Sequence, residues 1–145
     1  MLGLNLGVLD DEIDSFKGTL VSSGITLSKR NDLPFTPDDT VALTAAYDIL
    51  LENGAGITLR ADYSLKEDYY SRTENIPEVL ETNHKTLNVS ARYFSSGDKW
   101  EAGVIIRNAT DEFYCQSRSI FSAFAMGFGQ LVRPRSTSVF MKYNL

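Results

Sequence analysis

The chain has 145 residues, enough for one domain with a hydrophobic core, and its formal net charge is −5. This acidic balance argues against a general nucleic-acid-binding protein, because no surplus of Lys and Arg is available to displace counterions from phosphates. The single cysteine, Cys115, excludes an internal disulfide and a cysteine-rich metal site. No apolar run approaches the roughly 20 residues that a membrane-spanning helix needs.

The first half of the chain contains three stretches in which apolar and polar residues alternate, a pattern typical of β-strands. Leucines alternate with Gly and Asn from Leu2 onward, which predicts a strand over residues 2–12. A second strand is predicted over 39–50. The third, over 56–70, contains the clearest pattern: in GITLRADYSLK the ten residues from Ile57 to Lys66 alternate without a fault.

The second half contains three more alternating stretches, which predict strands over 84–95, 98–108 and 135–145. Ile105 interrupts the polar face of the fifth strand. No stretch has the 3.6-residue period of a helix, so at most a turn or two of helix is expected in the connections. The predicted fold class is therefore all-β, an antiparallel up-and-down meander.

Strand and connection lengths refine this prediction. Strands of about ten residues, at ~3.3 Å per residue and a tilt of ~40°, reach about 25 Å, the height of the apolar band of an outer-membrane barrel. Short connections, LENGAG and SSGDK, alternate with long ones near residues 10–39, 67–85 and 109–133. In a meander this order places every long connection at one end of the sheet, as in outer-membrane barrels with their short periplasmic turns and long outer loops.

Four stretches together resemble the C-terminal part of the barrel of TonB-dependent outer-membrane receptors. NDLPFTPDDTVALTAAYDI is similar to the family's polar loop with Pro leading into a strand. RADYSLKEDYYSRTEN is similar to a long strand and its outer loop. KWEAGVIIRNATDEFY is similar to the penultimate strand with its turn, and RPRSTSVFMKYNL to the terminal strand. Leu145 departs from the family pattern, in which a terminal aromatic residue is common.

The resemblance implies the cell outer membrane of a Gram-negative bacterium and energised uptake of a scarce ligand, such as a ferric siderophore. The implied partners are outer-membrane lipid, the rest of the barrel with its plug, the TonB complex and the barrel-assembly machinery. Six strands cannot close a barrel, since the smallest have about eight, so residues 1–145 are expected to be an incomplete barrel without the plug. No cofactor and no bond chemistry are implied.

Three groups of site residues are predicted. The terminal strand that the assembly machinery would bind comprises Pro134, Arg135, Val139, Met141, Tyr143 and Leu145. The turn after the penultimate strand carries the motif residues Asn108, Thr110, Asp111 and Tyr114. The lipid-facing set comprises Val41, Leu43, Leu59, Tyr63, Leu87, Val89, Val104 and Ile106.

The residue types that usually carry catalysis or bind metals form only weak sequence patterns. His84 is the only histidine, is expected in an outer loop, and makes no metal site alone. No catalytic residue set, cofactor site or metal site is predicted. The glycines of GFG, residues 127–129, are interpreted as turn residues rather than a phosphate-binding loop.

Two other functions fit alternating strands. A passive porin-like channel shares the barrel but lacks a plug, and the sequence encoded upstream would distinguish the two. A soluble ligand-carrier barrel would turn its apolar residues inward and its polar set toward water, and it should close by itself. Long strands and one-sided loops favour the membrane barrel over this carrier.

Overall fold

Strands dominate the computed structural model, which describes residues 1–14, 31–121 and 124–144. The strands are β1 (Leu2–Val8), β2 (Asp39–Leu50), β3 (Gly56–Lys66), β4 (Tyr69–Tyr70), β5 (Leu80–Glu81), β6 (His84–Phe94), β7 (Trp100–Arg107), β8 (Cys115–Phe121), β9 (Met126–Leu131) and β10 (Ser136–Tyr143). In this described part of the chain, helical structure is limited to 3₁₀ turns such as Pro77–Val79 and Ser96–Asp98. The predicted all-β class is confirmed.

Six strands form the main sheet, in the order β1-β2-β3-β6-β7-β10, and each neighbouring pair is antiparallel. The sheet is an open meander, with β1 at one edge and β10 at the other. The predicted antiparallel meander is therefore confirmed, and all six predicted strands are present. The long connections all leave the main sheet at one of its two ends. We call this end of the sheet the loop end.

Strand boundaries differ most where a partner strand stops. The strand predicted over 56–70 ends at Lys66, which pairs with Thr40 and His84 near the start of both partner strands, β2 and β6. The first strand ends at Val8 rather than residue 12 for the same reason, since Val8 pairs with Asp39. The last described strand ends at Tyr143, and Leu145 lies outside the described residues.

The long connections contain strands that the sequence prediction missed. β4 pairs with β5 within the second long connection, and β8 pairs with β9 within the third. The interpretation of GFG as a turn was wrong, because Gly127 and Gly129 lie inside β9 and pair with Ile120 and Arg118 of β8. Glycine lacks a side chain, so the alternation of apolar and polar residues is not visible in this strand.

One face of the main sheet is apolar from edge to edge. Residues that pair across antiparallel strands share a face, and Leu43 pairs with Tyr63, which pairs with Leu87. Farther along, Val104 pairs with Val139. The same face carries every residue of the predicted lipid-facing set: Val41, Leu43, Leu59, Tyr63, Leu87, Val89, Val104 and Ile106.

This apolar face is not covered by other described residues. Leu43 is 44% exposed and Val139 is 80% exposed. Among the described residues, the buried apolar side chains are Ala55 and Val79, both outside the six main strands. The main sheet thus has no hydrophobic core of its own on this side.

The opposite face is polar and internally hydrogen-bonded. Thr44 Oγ1 donates to Asp62 Oδ1 at 2.9 Å, and the Arg60 guanidinium donates to the same carboxylate at 2.7 Å. Phe140 also lies on this face, with its ring over Gly103, where an added Cβ would come within 2.6 Å of the ring. An aromatic ring covering a cross-strand glycine explains this apolar exception.

Candidate functional site

The long connections are tied to one another at the loop end. In the first connection, Asn31 Nδ2 donates to the Thr73 carbonyl of the second at 2.7 Å. The Phe35 amide donates to the Tyr70 carbonyl at 2.8 Å. These contacts join residues about forty positions apart, so they fix the described part of the first connection against the second.

A buried carboxylate joins the second connection to the third. Glu81 in β5 is 1% exposed and accepts a hydrogen bond from Ser71 Oγ at 2.9 Å. Its other oxygen lies 3.5 Å from Nε of Arg118 in β8, and the Arg118 amide donates to Ser71 Oγ at 3.0 Å. A hydrogen bond with Cys115 and then the charge of Glu81 raise the pKa of Arg118. This network holds the β8–β9 hairpin on the β4–β5 pair.

A polar cavity of about 370 Å³ lies where these connections meet the polar face of the sheet. Two cross-strand pairs of the main sheet, Ser64–Thr86 and Lys66–His84, form one side of it. We call it the His84 cavity. Its lining residues are Ser64, Lys66, Tyr69, His84, Thr86, Tyr114 and Gln116.

His84 is enclosed by two tyrosines from different connections. The imidazole is 6% exposed, and its ring stacks on Tyr114 with centroids 4.0 Å apart and planes at 14°. Tyr69 meets the ring edge-on, with its hydroxyl 3.4 Å from Nδ1. His84 is the first residue of β6, as the strand predicted over 84–95 requires, and is not part of an outer loop as was also expected.

The hydrogen bonds of Tyr69 define the tautomer of His84. The Tyr69 hydroxyl donates its one proton to the Gln116 carbonyl at 2.9 Å, so it accepts from Nδ1–H of His84. Nε2 then carries a lone pair, and it is a buried atom without a hydrogen-bond partner among the described residues. Burial, and then the negative charge of Glu81, raise the pKa of Tyr69, which keeps this hydroxyl protonated.

The predicted turn motif is held together by the side chain of Asn108. Asn108 is 5% exposed, and its Nδ2 donates to the carbonyls of Glu112 and Arg133 at 2.9 and 3.2 Å. Its Oδ1 accepts the Glu112 amide at 2.9 Å, and its φ of 50° is one that Asn tolerates better than most residues. The Asn108 side chain therefore closes the turn and joins it to the start of the last strand.

The other motif residues have distinct positions. Asp111 Oδ1 accepts the Arg135 amide at 2.9 Å, which connects the turn motif to the predicted terminal-strand group. Tyr114 places its hydroxyl 3.1 Å from Thr86 Oγ1 and so reaches the His84 cavity. Thr110 is exposed on the turn.

The predicted terminal-strand residues are spread along the length of β10. Pro134 is exposed just before the strand begins. At the far end, the ring of Tyr143 lies 4.5 Å from that of Trp100, its cross-strand partner. Val139 and Met141, between them, are 80% and 70% exposed on the apolar face. This group therefore forms a strand surface rather than a pocket.

The strand predicted over 84–95 already indicates the position of His84. Counting back by two from Asn88 through Thr86 places His84 on the polar face beside Lys66. Sequence alone could not place Tyr69 and Tyr114 against it, because both belong to irregular connections. The strand side of the cavity is thus predictable from sequence, whereas the side formed by the packed connections is not.

Within residues 1–14, 31–121 and 124–144, no three His, Cys, Asp or Glu side chains are grouped so that they could hold a metal ion. No helix in the described part of the chain is both long and apolar enough to cross a membrane. Comparisons with models of known families, with curated proteins and with solved structures found no match.

Proposed function

We propose that the chain is the C-terminal segment of the barrel of a TonB-dependent outer-membrane receptor, which takes up a scarce ligand such as a ferric siderophore. In this proposal the six main strands are part of the lipid-facing wall. The connections at the loop end face the outside of the cell and contribute to ligand binding. The segment itself catalyses no reaction.

The observation that carries the proposal is the exposed apolar face. It crosses all six strands of the main sheet, from Leu4, 59% exposed, to Val139, 80% exposed. In water, a contiguous apolar surface of this extent favours association. A bilayer instead offers hydrocarbon to every side chain on it, and β2, β3 and β6, with 11 or 12 residues each, are long enough for the apolar band of such a barrel.

The two ends of the sheet add support. The turns between β2 and β3 and between β6 and β7 are short, whereas the connections at the loop end carry their own small sheets. At the short-turn end, Trp100 and Tyr143 form an aromatic pair on the apolar face. Aromatic residues at the edge of the apolar band are typical of the interfacial girdles of membrane barrels.

A soluble carrier is the poorer alternative. Such a barrel closes on itself and buries its apolar residues inside. Here β1 and β10 are at opposite edges of an open sheet, and the polar face carries its own ion pairs, such as Arg92 with Glu101 at 3.2 Å. Polar groups so arranged suit a water-filled lumen.

Spin labels test this proposal directly. In a Cys115→Ser background, single cysteines placed at successive positions from Ser138 to Met141 are labelled in the full chain folded into phospholipid vesicles. Collision with dissolved oxygen, which is enriched in lipid, should be high at Val139 and Met141. It should be low at Ser138 and Phe140, because strand residues alternate between faces.

A measurement without lipid distinguishes the membrane barrel from the soluble carrier. In plain buffer without lipid or detergent, the full chain should aggregate, since it exposes two unpaired strand edges and an apolar face. A cooperatively melting monomer of 16.2 kDa by light scattering would instead support the soluble barrel. A plug domain encoded immediately ahead of Met1 would support an energised receptor. Further strands without a plug would support a passive channel.

A further inference from the structure

Lys66 brings a positive charge without an ion-paired carboxylate to the His84 cavity. No carboxylate is among the lining residues, and Lys66 forms no ion pair with any residue that the structure describes. Acidic side chains of neighbouring segments are engaged elsewhere. Asp68 accepts the Asn83 amide at 2.6 Å, and Glu81 is bound by Ser71 and Arg118. Asp68 is still close enough for its charge to act on His84, but no carboxylate is ion-paired with Lys66 among the described residues.

Hydroxyl groups surround this charge. Ser64 and Thr86 lie side by side as cross-strand partners, and Tyr114 reaches Thr86 Oγ1 at 3.1 Å. In the Thr86–Tyr114 pair one hydroxyl donates to the other, which leaves the second proton, together with that of Ser64, to turn toward an acceptor. Burial, and then the charge of Lys66, lower the pKa of His84, so its imidazole favours the neutral form and adds no second charge. An ammonium with hydroxyl donors is a suitable set for one small anion.

We propose that the His84 cavity binds a small oxyanion or the carboxylate or phosphate group of a larger solute, with Lys66 as its counter-charge. The volume of about 370 Å³ is within the range of small-molecule sites. The occupant comes from solution rather than from lipid, because the cavity lies on the polar face, opposite the apolar face. A role for this site in uptake rests on the proposed function. Anion binding itself rests on the cavity alone.

The single histidine makes the cavity directly observable. The chain is labelled with ¹³C-histidine and folded in non-ionic detergent, so that one imidazole Cε1–H signal reports on His84. Inorganic phosphate is then added at constant pH, with chloride adjusted to hold the ionic strength. We expect a saturable shift of this signal. In Lys66→Gln the dissociation constant should rise about tenfold or more, because a charge-assisted hydrogen bond is lost.

Two variants serve as controls. Lys85→Gln removes a charge next to His84 in sequence but on the apolar face, since Lys85 pairs with Leu65, and it should bind phosphate as the wild type does. Lys66→Arg keeps the charge and should restore the saturable shift. A wild-type signal that does not shift or shifts without saturation, or an unchanged affinity in Lys66→Gln, would overturn the anion site.

These outcomes are separable from those of the proposed function. Failure of the phosphate titration, with the alternating oxygen pattern of β10 intact, would refute the anion site and leave the membrane wall standing. Saturable phosphate binding by a chain that is a soluble monomer in plain buffer would support the anion site and refute the membrane wall.

Discussion

Replacing Leu43 with Arg tests the lipid-facing surface at a defined depth. Leu43 lies on the apolar face of β2, opposite Tyr63 and Leu4, and is 44% exposed. The midpoint of β2 lies between Thr44 and Ala45, so Leu43 is between one and two residues from it. At ~3.3 Å per residue and a tilt of ~40°, this offset is about 4 Å along the membrane normal.

The magnitude follows from that depth. Arg at the bilayer midplane of a membrane barrel costs about 2–4 kcal/mol and close to nothing at the interface. For an offset of about 4 Å in a band whose half-height is about 12 Å, we expect Leu43→Arg to lower the free energy of unfolding by about 2 kcal/mol.

The matched control is the preceding residue. Ala42 lies on the polar face, between Asn5 and Ser64, where an added guanidinium meets polar side chains. Ala42→Arg should therefore cost well under half as much as Leu43→Arg. Urea titration of each variant in phospholipid vesicles, followed by the fluorescence of the single tryptophan, Trp100, gives both values. Equal costs at the two positions, or a larger cost at Ala42, would refute the lipid-facing assignment.

The remaining predictions concern the loop end. Asn108→Ala should lower the free energy of unfolding by about 2–3 kcal/mol in the same titration, because buried main-chain groups lose their partner. Asn108→Asp keeps the acceptor oxygen but turns a carboxylate oxygen toward two carbonyl oxygens, so it should cost at least as much. Glu81→Ala should loosen the β8–β9 hairpin by about 2 kcal/mol, measured by amide hydrogen exchange. This loss is smaller than that for a fully buried ion pair, because Arg118 is 41% exposed and water screens its charge. A hydrogen bond from Arg72 lowers the pKa of Glu74 below its ordinary value of 4.5, so the carboxylate stabilises the folded state above that pH. This stability should be lost as acid protonates the carboxylate, and the exchange protection of the β4–β5 pair should fall as the pH drops below about 4.5. In Glu74→Gln, protection that still falls by the same amount would contradict this assignment.

The main sheet was predictable because one rule governs it. Strand side chains alternate, and a one-residue slip would turn an entire apolar set to the other face. The alternation of Ile57–Lys66 thus fixed both the strand and the face of each residue, and β2 was predicted with its observed bounds. The exceptions have local causes: Phe140 covers Gly103, and a Cβ added at Gly56 would meet the ring of Phe94.

The connections were less predictable because their structure depends on contacts between distant residues. The two residues of β4, Tyr69–Tyr70, give no alternation to recognise, and they are in a strand because Leu80–Glu81 lies beside them. The buried Glu81 gives no sequence signal either, since Ser71 and Arg118 become its partners only when the connections pack.

The His84 cavity depends on both kinds of structure. Alternation alone puts Lys66 and His84 side by side on the polar face, where the last residues of β3 and the first of β6 pair. Loop packing then adds Tyr69 and Tyr114, which enclose the imidazole from two separate connections. An anion bound to Lys66 would therefore contact groups from the sheet and from both connections. Binding there would favour the packed arrangement of the connections over any arrangement in which the tyrosines leave His84, since a ligand stabilises the state that binds it.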